Sequence, residues 1–275
     1  MLRTRVITAL CGFPVLIAAV WFDGPLPWFT VLAAIWGLLA AYEFYQMTLV
    51  SRTSLLACFG LIWTLLFIIR PHFDYDFLIP LLLTSAVTLS MLLLIFRTQK
   101  EGAFASWSWT IAGILYVGWL LSYLVALRLD AGRNWVFFAL FITFGSDMAA
   151  FFVGRVLGRH RLAPGISPHK TWEGAVAGVF GAIIVSLLFT LPTPLGLPLS
   201  YLQAILLGLV VSIAGQLGDL VESLLKRNTG VKESGKLMPG HGGLLDRMDS
   251  VVFAGVVVYY LYLAFNNGWF DWLSG

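Results

Sequence analysis

Carboxylates lie at the ends of several apolar segments in the second half of the chain. At the centre of a bilayer a carboxylate costs about 2.5–3.5 kcal/mol on insertion scales, so each one needs a structural or functional reason. The acidic residues concerned are Asp147, Glu173, Asp219, Glu222, Asp246 and Asp249. Carboxylate oxygens are ligands that Mg²⁺ prefers, and these residues are therefore candidates for a divalent-cation site.

The apolar segment 199–222, the eighth in the chain, carries its polar residues on one helical face. Asp219 and Glu222 are three positions apart, and Ser223 and Lys226 continue the same stripe toward Arg227. A polar seam between packed helices is one interpretation of this spacing. We favour a water-filled cavity that holds cations and anions together, because two acids are followed by two adjacent bases.

Residues 236–250, KLMPGHGGLLDRMDS, combine glycines, a histidine and charged side chains just before an apolar segment. The glycines can adopt backbone conformations that other residues resist, so successive N–H groups can point toward one anion. Asp246 and Asp249 are three apart and are predicted to share one face of the first helical turn. An acidic first turn that caps a helix explains these two acids, but it does not explain the glycines, His241 and Arg247.

The loop between the sixth and seventh apolar segments, 134–154 and 172–191, is also basic. Basic cytoplasmic loops commonly attract anionic lipid headgroups, which is the simpler interpretation. The sequence SPHKTWEG, which contains Ser167, Lys170 and Glu173, instead favours a substrate-binding loop. Acids for a divalent ion beside bases for phosphates are typical of phosphoryl or nucleotidyl transfer. Neither a Walker A motif nor a Rossmann glycine motif is present.

The composition indicates the scaffold that must position these residues. Hydrophobic residues make up 59% of the chain and charged residues 11%, whereas a soluble domain has about 25% charged residues. We therefore predict an all-α fold, a polytopic integral membrane bundle. Stretches of about 20 apolar residues can cross a bilayer, and the sequence contains about nine of them, with the first interpreted as a retained helix. The predicted transmembrane helices are 6–22, 27–46, 54–69, 77–96, 107–127, 134–154, 172–191, 199–222 and 249–267.

The basic residues predict the orientation of this bundle. With a cytoplasmic N-terminus, five connecting or terminal segments lie inside and hold fourteen of the seventeen Lys and Arg residues. The same arrangement sends all the acidic residues named above to the cytoplasmic side, although they were not used to derive it.

The chain is predicted to form a single integral membrane domain over 1–275. Residues 1–130 form apolar scaffold helices, and residues 131–275 form the catalytic helices and cytoplasmic loops. Within its first five predicted spans the chain has one acidic residue, Glu43.

The run SLLKRNTGVKESGKLMPGHGGLLDRMDS at 223–250 resembles the signature of the phosphatidate cytidylyltransferases, the CDP-diacylglycerol synthases. That pattern is Ser-x-x-Lys-Arg, four residues, Lys-Asp, a short gap, and Pro-x-His-Gly-Gly-x-x-Asp-Arg-x-Asp. The matching positions are Ser223, Lys226, Arg227, Lys232, Pro239, His241, Gly242, Gly243, Asp246, Arg247 and Asp249. Glu233 replaces the usual Asp, and Met238 replaces a branched or aromatic residue. The segment 146–174 also resembles a second polar region of the family.

The resemblance implies that CTP and phosphatidate react to give CDP-diacylglycerol and pyrophosphate, with Mg²⁺ required. It further implies a multi-pass enzyme of the cell inner or plasma membrane whose active site faces the cytoplasm. Asp219, Asp246 and Asp249 are the implied metal ligands, and they are the implied catalytic residues together with Lys226 and Arg247.

The remaining site residues follow from the same resemblance. Asp147 and Glu222 would act on the metal ligands from outside the coordination sphere. The implied substrate-binding residues are Ser167, Lys170, Ser223, Arg227, Lys232, Gly240, His241, Gly242 and Gly243.

Two other functions are compatible with parts of this pattern. A related cytidylyl- or phosphotransferase could act on another lipid phosphate or a polyprenol. An ion-coupled transporter is less well supported, because the outer halves of the last four spans carry almost no ionisable residues and transport needs access from both sides. The expected partners are CTP, phosphatidate and the lipid bilayer, with no nucleic acid, and a homodimer is left open.

Overall fold

The computed structural model describes residues 2–22, 24–48, 50, 54–96, 101–235, 237–238 and 242–269. Helices dominate these residues, which confirms the predicted all-α class. The helices are α1 (Leu2–Trp21), α2 (Trp28–Met47), α3 (Ser54–Ile69), α4 (Leu78–Ile95), α5 (Ala103–Gly113), α6 (Leu120–Asp130), α7 (Arg133–Leu157), α8 (Trp172–Leu188), α9 (Tyr201–Asn228) and α10 (Asp249–Asn266). Two short antiparallel strands, β1 (Arg161–Ala163) and β2 (Ser167–Thr171), form a hairpin between α7 and α8.

Seven helical segments within the described ranges are long and apolar enough to cross a bilayer. These are Trp28–Met47, Leu55–His72, Leu78–Ile95, Ala103–Asp130, Arg133–Leu157, Tyr201–Asn228 and Asp249–Asn266. Two shorter apolar segments, Gly12–Trp21 and Trp172–Leu188, coincide with the first and seventh predicted spans. The protein is therefore a multi-pass membrane protein, while the total of about nine spans and the cytoplasmic N-terminus stay predictions.

The fifth predicted span, 107–127, is interrupted by glycines in the sequence but forms one continuous helical segment. A π-helical stretch, Ile114–Trp119, joins α5 to α6. Gly118 lies in this stretch, and a Cβ there would be 2.8 Å from the Cα of Thr64 on α3. The interruption therefore marks a close helix contact.

The chain divides into two compact units, each formed from two separate segments. Unit 1 contains Met1–Leu129 and Thr229–Arg247, and unit 2 contains Asp130–Asn228 and Met248–Gly275. The loop that carries most of the signature motif thus groups with the N-terminal helices. Our assignment of 1–275 to a single domain stays a prediction.

Tyr45 organises the packing of α2 in unit 1. Its ring lies against Gly60 of α3 and Gly113 of α5, where any Cβ would collide with it. Its hydroxyl donates to the carbonyl of Thr110 at 3.2 Å. A buried apolar cluster of unit 1 contains Phe67, Leu82 and Ile114 among others. Side chains from α3, α4 and the π-helical stretch therefore fill the interior of this unit.

In unit 2, small residues allow α7 and α8 to approach closely. A Cβ at Gly181 of α8 would lie 2.6 Å from the Cβ of Ala149 and 2.8 Å from the carbonyl oxygen of Gly145, both on α7. Membrane helices use such small residues because they let two backbones pack directly. The opposite face of α8 exposes large apolar residues every fourth position, as expected of a lipid-facing surface. These residues are Trp172, Val176, Phe180, Ile184 and Leu188.

Candidate active site

The polar stripe predicted on the eighth span lies on α9 in unit 2. Glu222 is fully buried, and its Oε1 lies 3.3 Å from Nζ of Lys226 one turn later. The hydroxyl of Ser223 donates to Oδ1 of Asp219 at 3.4 Å. The helical spacing of the sequence therefore brings these four side chains together as predicted.

Strand β2 places a cation against this stripe. Nζ of Lys170 lies 2.6 Å from Oδ2 of Asp219, and both side chains are partly exposed. Such a charge-assisted pair is stronger than a neutral hydrogen bond. Lys170 and Asp219 were predicted to serve phosphate and metal respectively, and the structure shows that they contact each other directly.

Two further carboxylates belong to the same group, which we call the acid cluster (Asp147, Asp219, Glu222 and Asp249). Asp249 is the first residue of α10, lies beside Glu222 and is within electrostatic range of Asp219. Asp147 lies on α7 and is within electrostatic range of Asp219 and Asp249. Three helices of unit 2 therefore contribute carboxylates to one region.

The β1–β2 hairpin is attached to the start of α8 by Glu173. Its carboxylate accepts the backbone N–H groups of Arg159 and His160 at 3.1–3.2 Å and lies 2.7 Å from Nδ1 of His160. These contacts show that Glu173 fixes the hairpin, while the predicted substrate-binding role of this loop stays a prediction.

The C-terminal end of α9 also contacts the hairpin. Nε of Arg227 donates to the carbonyl of Ile166 in the turn between the strands at 3.3 Å. Ser167 begins β2 and is partly exposed. Together with the Lys170–Asp219 pair, this contact places the hairpin beside α9.

The structure contradicts the predicted position of Asp246. We expected Asp246 and Asp249 on one helical turn, but α10 begins at Asp249 and Asp246 lies in a preceding 3₁₀ turn, Leu245–Arg247. Oδ2 of Asp246 accepts the backbone N–H groups of Ser234 at 3.1 Å and Gly243 at 2.9 Å. The acid thus closes its own loop through backbone donors in unit 1.

Three further predicted residues of unit 1 lie in the described part of the chain. Gly242 has a positive φ of 84°, the left-handed conformation expected of a glycine in such a loop. Lys232 and Arg247 are exposed. Gly240 and His241 lie outside the described residues, so their predicted roles stay predictions.

Glu43, which we did not predict as a site residue, contacts this loop. It lies on α2 in unit 1 and is 2% exposed. Its Oε2 accepts the backbone N–H of Leu245 at 3.0 Å and the hydroxyl of Ser234 at 3.4 Å. The signal in the sequence was its status as the one acid within the first five predicted spans.

The side chains of the acid cluster suit a divalent cation in their chemistry. Their four carboxylates face two lysines, Lys170 and Lys226, so the group carries excess negative charge. Oxygen ligands of this kind are what Mg²⁺ prefers. Among the residues that the structure describes, no three His, Cys, Asp or Glu side chains are already arranged as a metal site.

Comparison with known proteins gives one consistent result. The cytidylyltransferase family model matches residues 3–265. The phosphatidate cytidylyltransferase of Bacillus subtilis strain 168 is 33% identical over 270 residues, which cover 96% of this chain and 99% of that protein. The phosphatidate cytidylyltransferase of Brucella suis is 34% identical over 264 residues, or 94% of this chain and 92% of that protein. That of Staphylococcus haemolyticus is 32% identical over 254 residues, or 92% and 95%.

Proposed function

This chain belongs to the cytidylyltransferase family, and we propose that it transfers the cytidylyl group of CTP to phosphatidate. The products are CDP-diacylglycerol and pyrophosphate. The observation that carries this proposal is the acid cluster with its two lysines, found in a chain that aligns along nearly its whole length with phosphatidate cytidylyltransferases.

The reaction is an in-line displacement at phosphorus. A phosphate oxygen of phosphatidate forms a bond to the α-phosphorus of CTP, and the bond from that phosphorus to the bridging oxygen of the β-phosphate breaks. The electron pair leaves with pyrophosphate, and no oxidation or reduction occurs. Because phosphatidate is already an anionic nucleophile, the main task of the protein is to hold two repelling anions together.

The basic residues meet this requirement. Lys170 and Lys226 neutralise phosphate charge beside the acid cluster, and Arg227 extends the positive surface to the hairpin. Ser167 and Ser223 offer hydroxyl donors near these cations. Lys232, Arg247 and the glycine-rich segment at 240–243 are proposed to bind the remaining phosphate oxygens, with His241 orienting one of them.

Asp219, Asp246 and Asp249 are the proposed Mg²⁺ ligands. When bound, the ion neutralises phosphate charge and stabilises the leaving pyrophosphate. Asp147 and Glu222 keep the surrounding potential negative and so raise the affinity for a cation. Lys170 pairs with Asp219 at 2.6 Å, and we propose that it turns to a phosphate when CTP binds.

The site is proposed to face the cytoplasm at the inner leaflet of the cell membrane. Phosphatidate is confined to the bilayer and CTP is dissolved in the cytoplasm, so the site must open to both. The distribution of Lys and Arg supports this orientation. A helix of 17 residues, such as α8, is at the lower limit for crossing a bilayer. The lipid-facing stripe of α8 supports its assignment as a further span beyond the seven long ones.

A transfer assay in detergent tests the proposed function. The purified chain is incubated with radiolabelled CTP, phosphatidate and Mg²⁺, and label in the lipid fraction is counted. We expect Mg²⁺-dependent incorporation, with pyrophosphate released in equal amount. A parallel reaction with a polyprenyl phosphate tests the related transferase, and incorporation into that acceptor alone would overturn the assignment of phosphatidate.

A further inference from the structure

Glu43 is a buried carboxylate and the one charged residue of α2. Its side chain is 2% exposed, and burying a charged group is costly unless it is paired or hydrogen-bonded. Glu43 lies near the C-terminal end of α2, which the predicted topology places on the cytoplasmic side. A residue of this cost needs a reason, and its contacts supply one.

Both ends of the signature loop bind to Glu43. Its Oε2 accepts the backbone N–H of Leu245 at 3.0 Å and the hydroxyl of Ser234 at 3.4 Å. These partners are 202 and 191 positions away in sequence. One carboxylate oxygen therefore ties α2 to the loop at two points within unit 1.

Ser234 connects Glu43 to Asp246. Its hydroxyl donates to Glu43, while its backbone N–H donates to Oδ2 of Asp246 at 3.1 Å. Leu245, the other partner of Glu43, directly precedes Asp246 in the chain. Glu43 therefore acts on the position of the Asp246 carboxylate in two ways. One is the hydrogen bonds of Ser234, and the other is the peptide bond between Leu245 and Asp246.

Two glycines allow this close contact. A Cβ on Gly235 would lie 2.8 Å from Cγ of Glu43, and a Cβ on Gly243 would lie 2.7 Å from its Oε2. Both distances are below ordinary van der Waals contact, so larger side chains would push the loop away from α2. The loop is therefore shaped to fit this carboxylate.

We propose that Glu43 is a positioning residue that fixes the loop 234–247 and thereby directs the carboxylate of Asp246. This role rests on the proposed function, in which Asp246 is a metal ligand. Partners outside the coordination sphere commonly change metal affinity by about 10–100-fold when they are removed. Glu43 is accordingly expected to act on the Mg²⁺ requirement of the reaction.

The test measures the Mg²⁺ concentration that gives half-maximal activity in Glu43→Gln and Ser234→Ala. Glutamine keeps the shape but removes the charge, and alanine removes the hydroxyl that links Glu43 to the loop. We expect the half-saturating Mg²⁺ concentration of Glu43→Gln to rise by about 10–100-fold, with much of the activity restored by excess Mg²⁺. Ser234→Ala should shift it in the same direction by less.

Tyr45→Phe is the matched control. Tyr45 is equally buried on the same helix and donates one hydrogen bond, but to Thr110 and not to the loop. It should leave the Mg²⁺ requirement unchanged. A wild-type Mg²⁺ requirement in Glu43→Gln, or an equal rise in Tyr45→Phe, would overturn the positioning role.

Hydrogen exchange separates this proposal from the proposed function. If wild-type protein transfers no label, the proposed function fails, and exchange of the peptide 234–247 then decides the role of Glu43. Faster exchange in Glu43→Gln than in Tyr45→Phe supports the tie between α2 and the loop. Equal exchange in the two variants overturns it.

Discussion

The carboxylates that contact the loop 234–247 of unit 1 and those of α9 in unit 2 have different partners. In unit 1, Glu43 and Asp246 accept backbone N–H groups and a serine hydroxyl, which are neutral donors. In unit 2, Asp219 and Glu222 face the ammonium groups of Lys170 and Lys226. Carboxylates bound to the backbone define a conformation, whereas carboxylates beside lysine side chains can exchange those cations for a metal ion or release them to a phosphate.

This difference predicts that the loop carboxylates of unit 1 maintain a conformation and that the α9 carboxylates of unit 2 supply charge. A substitution that removes charge from the acid cluster or from its two lysines should therefore reduce catalysis with little loss of folded protein. A substitution that crowds the loop of unit 1 should reduce both stability and activity. The predictions below test this separation.

Asp219→Asn should have the largest effect on activity. Asp219 contacts Lys170 and Ser223 and is the proposed metal ligand most central to the acid cluster. Transfer of label from CTP to phosphatidate should fall on the order of 10²–10³-fold, the scale seen when one electrostatic contact to a reacting group is lost. Asp130→Asn is the control, because Asp130 accepts a hydrogen bond from Tyr259 in the same unit. Equal losses in the two variants would contradict the role of Asp219.

Lys170→Met should have the next largest effect. It leaves Asp219 without its 2.6 Å partner and removes a proposed phosphate ligand. A hydrogen bond to a charged group contributes about 1.5–3 kcal/mol, so kcat/KM for CTP should fall by about 10- to 100-fold. Lys170→Arg retains the charge and should retain more activity. If the arginine and methionine variants are equally impaired, charge at this position is not what matters.

Gly243→Ala, which crowds the loop of unit 1, should reduce the stability of the fold as well as the activity. The added Cβ would meet the Ser234 hydroxyl and would lie 2.7 Å from Oε2 of Glu43. Crowding of this kind costs about 1–3 kcal/mol, which should appear as a lower midpoint of thermal unfolding along with lower activity. Gly12→Ala is the control, since a Cβ at Gly12 meets nothing within 4 Å. Unchanged unfolding in Gly243→Ala would remove the distinction between the units.

Glu173→Gln should have the smallest effect of the four, because Glu173 contacts Arg159 and His160 of the hairpin and none of the proposed metal ligands. Transfer of label from CTP to phosphatidate should fall by less than in Lys170→Met. A loss as large as that of Lys170→Met would show that the attachment of the hairpin matters as much as the charge of Lys170.

The class and the family were predictable from the sequence, for different reasons. Long apolar runs can satisfy their backbone groups in a membrane only as helices in a chain of this kind, and the described residues confirm the all-α class. The family resemblance rested on many fixed positions in one short run, and the match over residues 3–265 confirms it. The stripe from Asp219 to Lys226 was also predictable, because helical spacing alone brings those residues together.

The failures have a common physical cause, which is that local spacing does not describe loops or distant contacts. The three-residue spacing of Asp246 and Asp249 implies a shared face only within one helix, and the helix begins at Asp249. Strands β1 and β2 contain only three and five residues, too few for a clear alternation. Glu43 was overlooked because its partner Ser234 lies 191 positions away.

The divided sequence of unit 1 has a consequence for biosynthesis. Glu43 is translated long before Ser234, which follows 191 residues later. At about 5–20 residues per second, the ribosome needs roughly 10–40 seconds to cover that separation. During this interval α2 is inserted without the donors that its carboxylate will later accept, so completion of the N-terminal helices must wait for nearly the entire nascent chain.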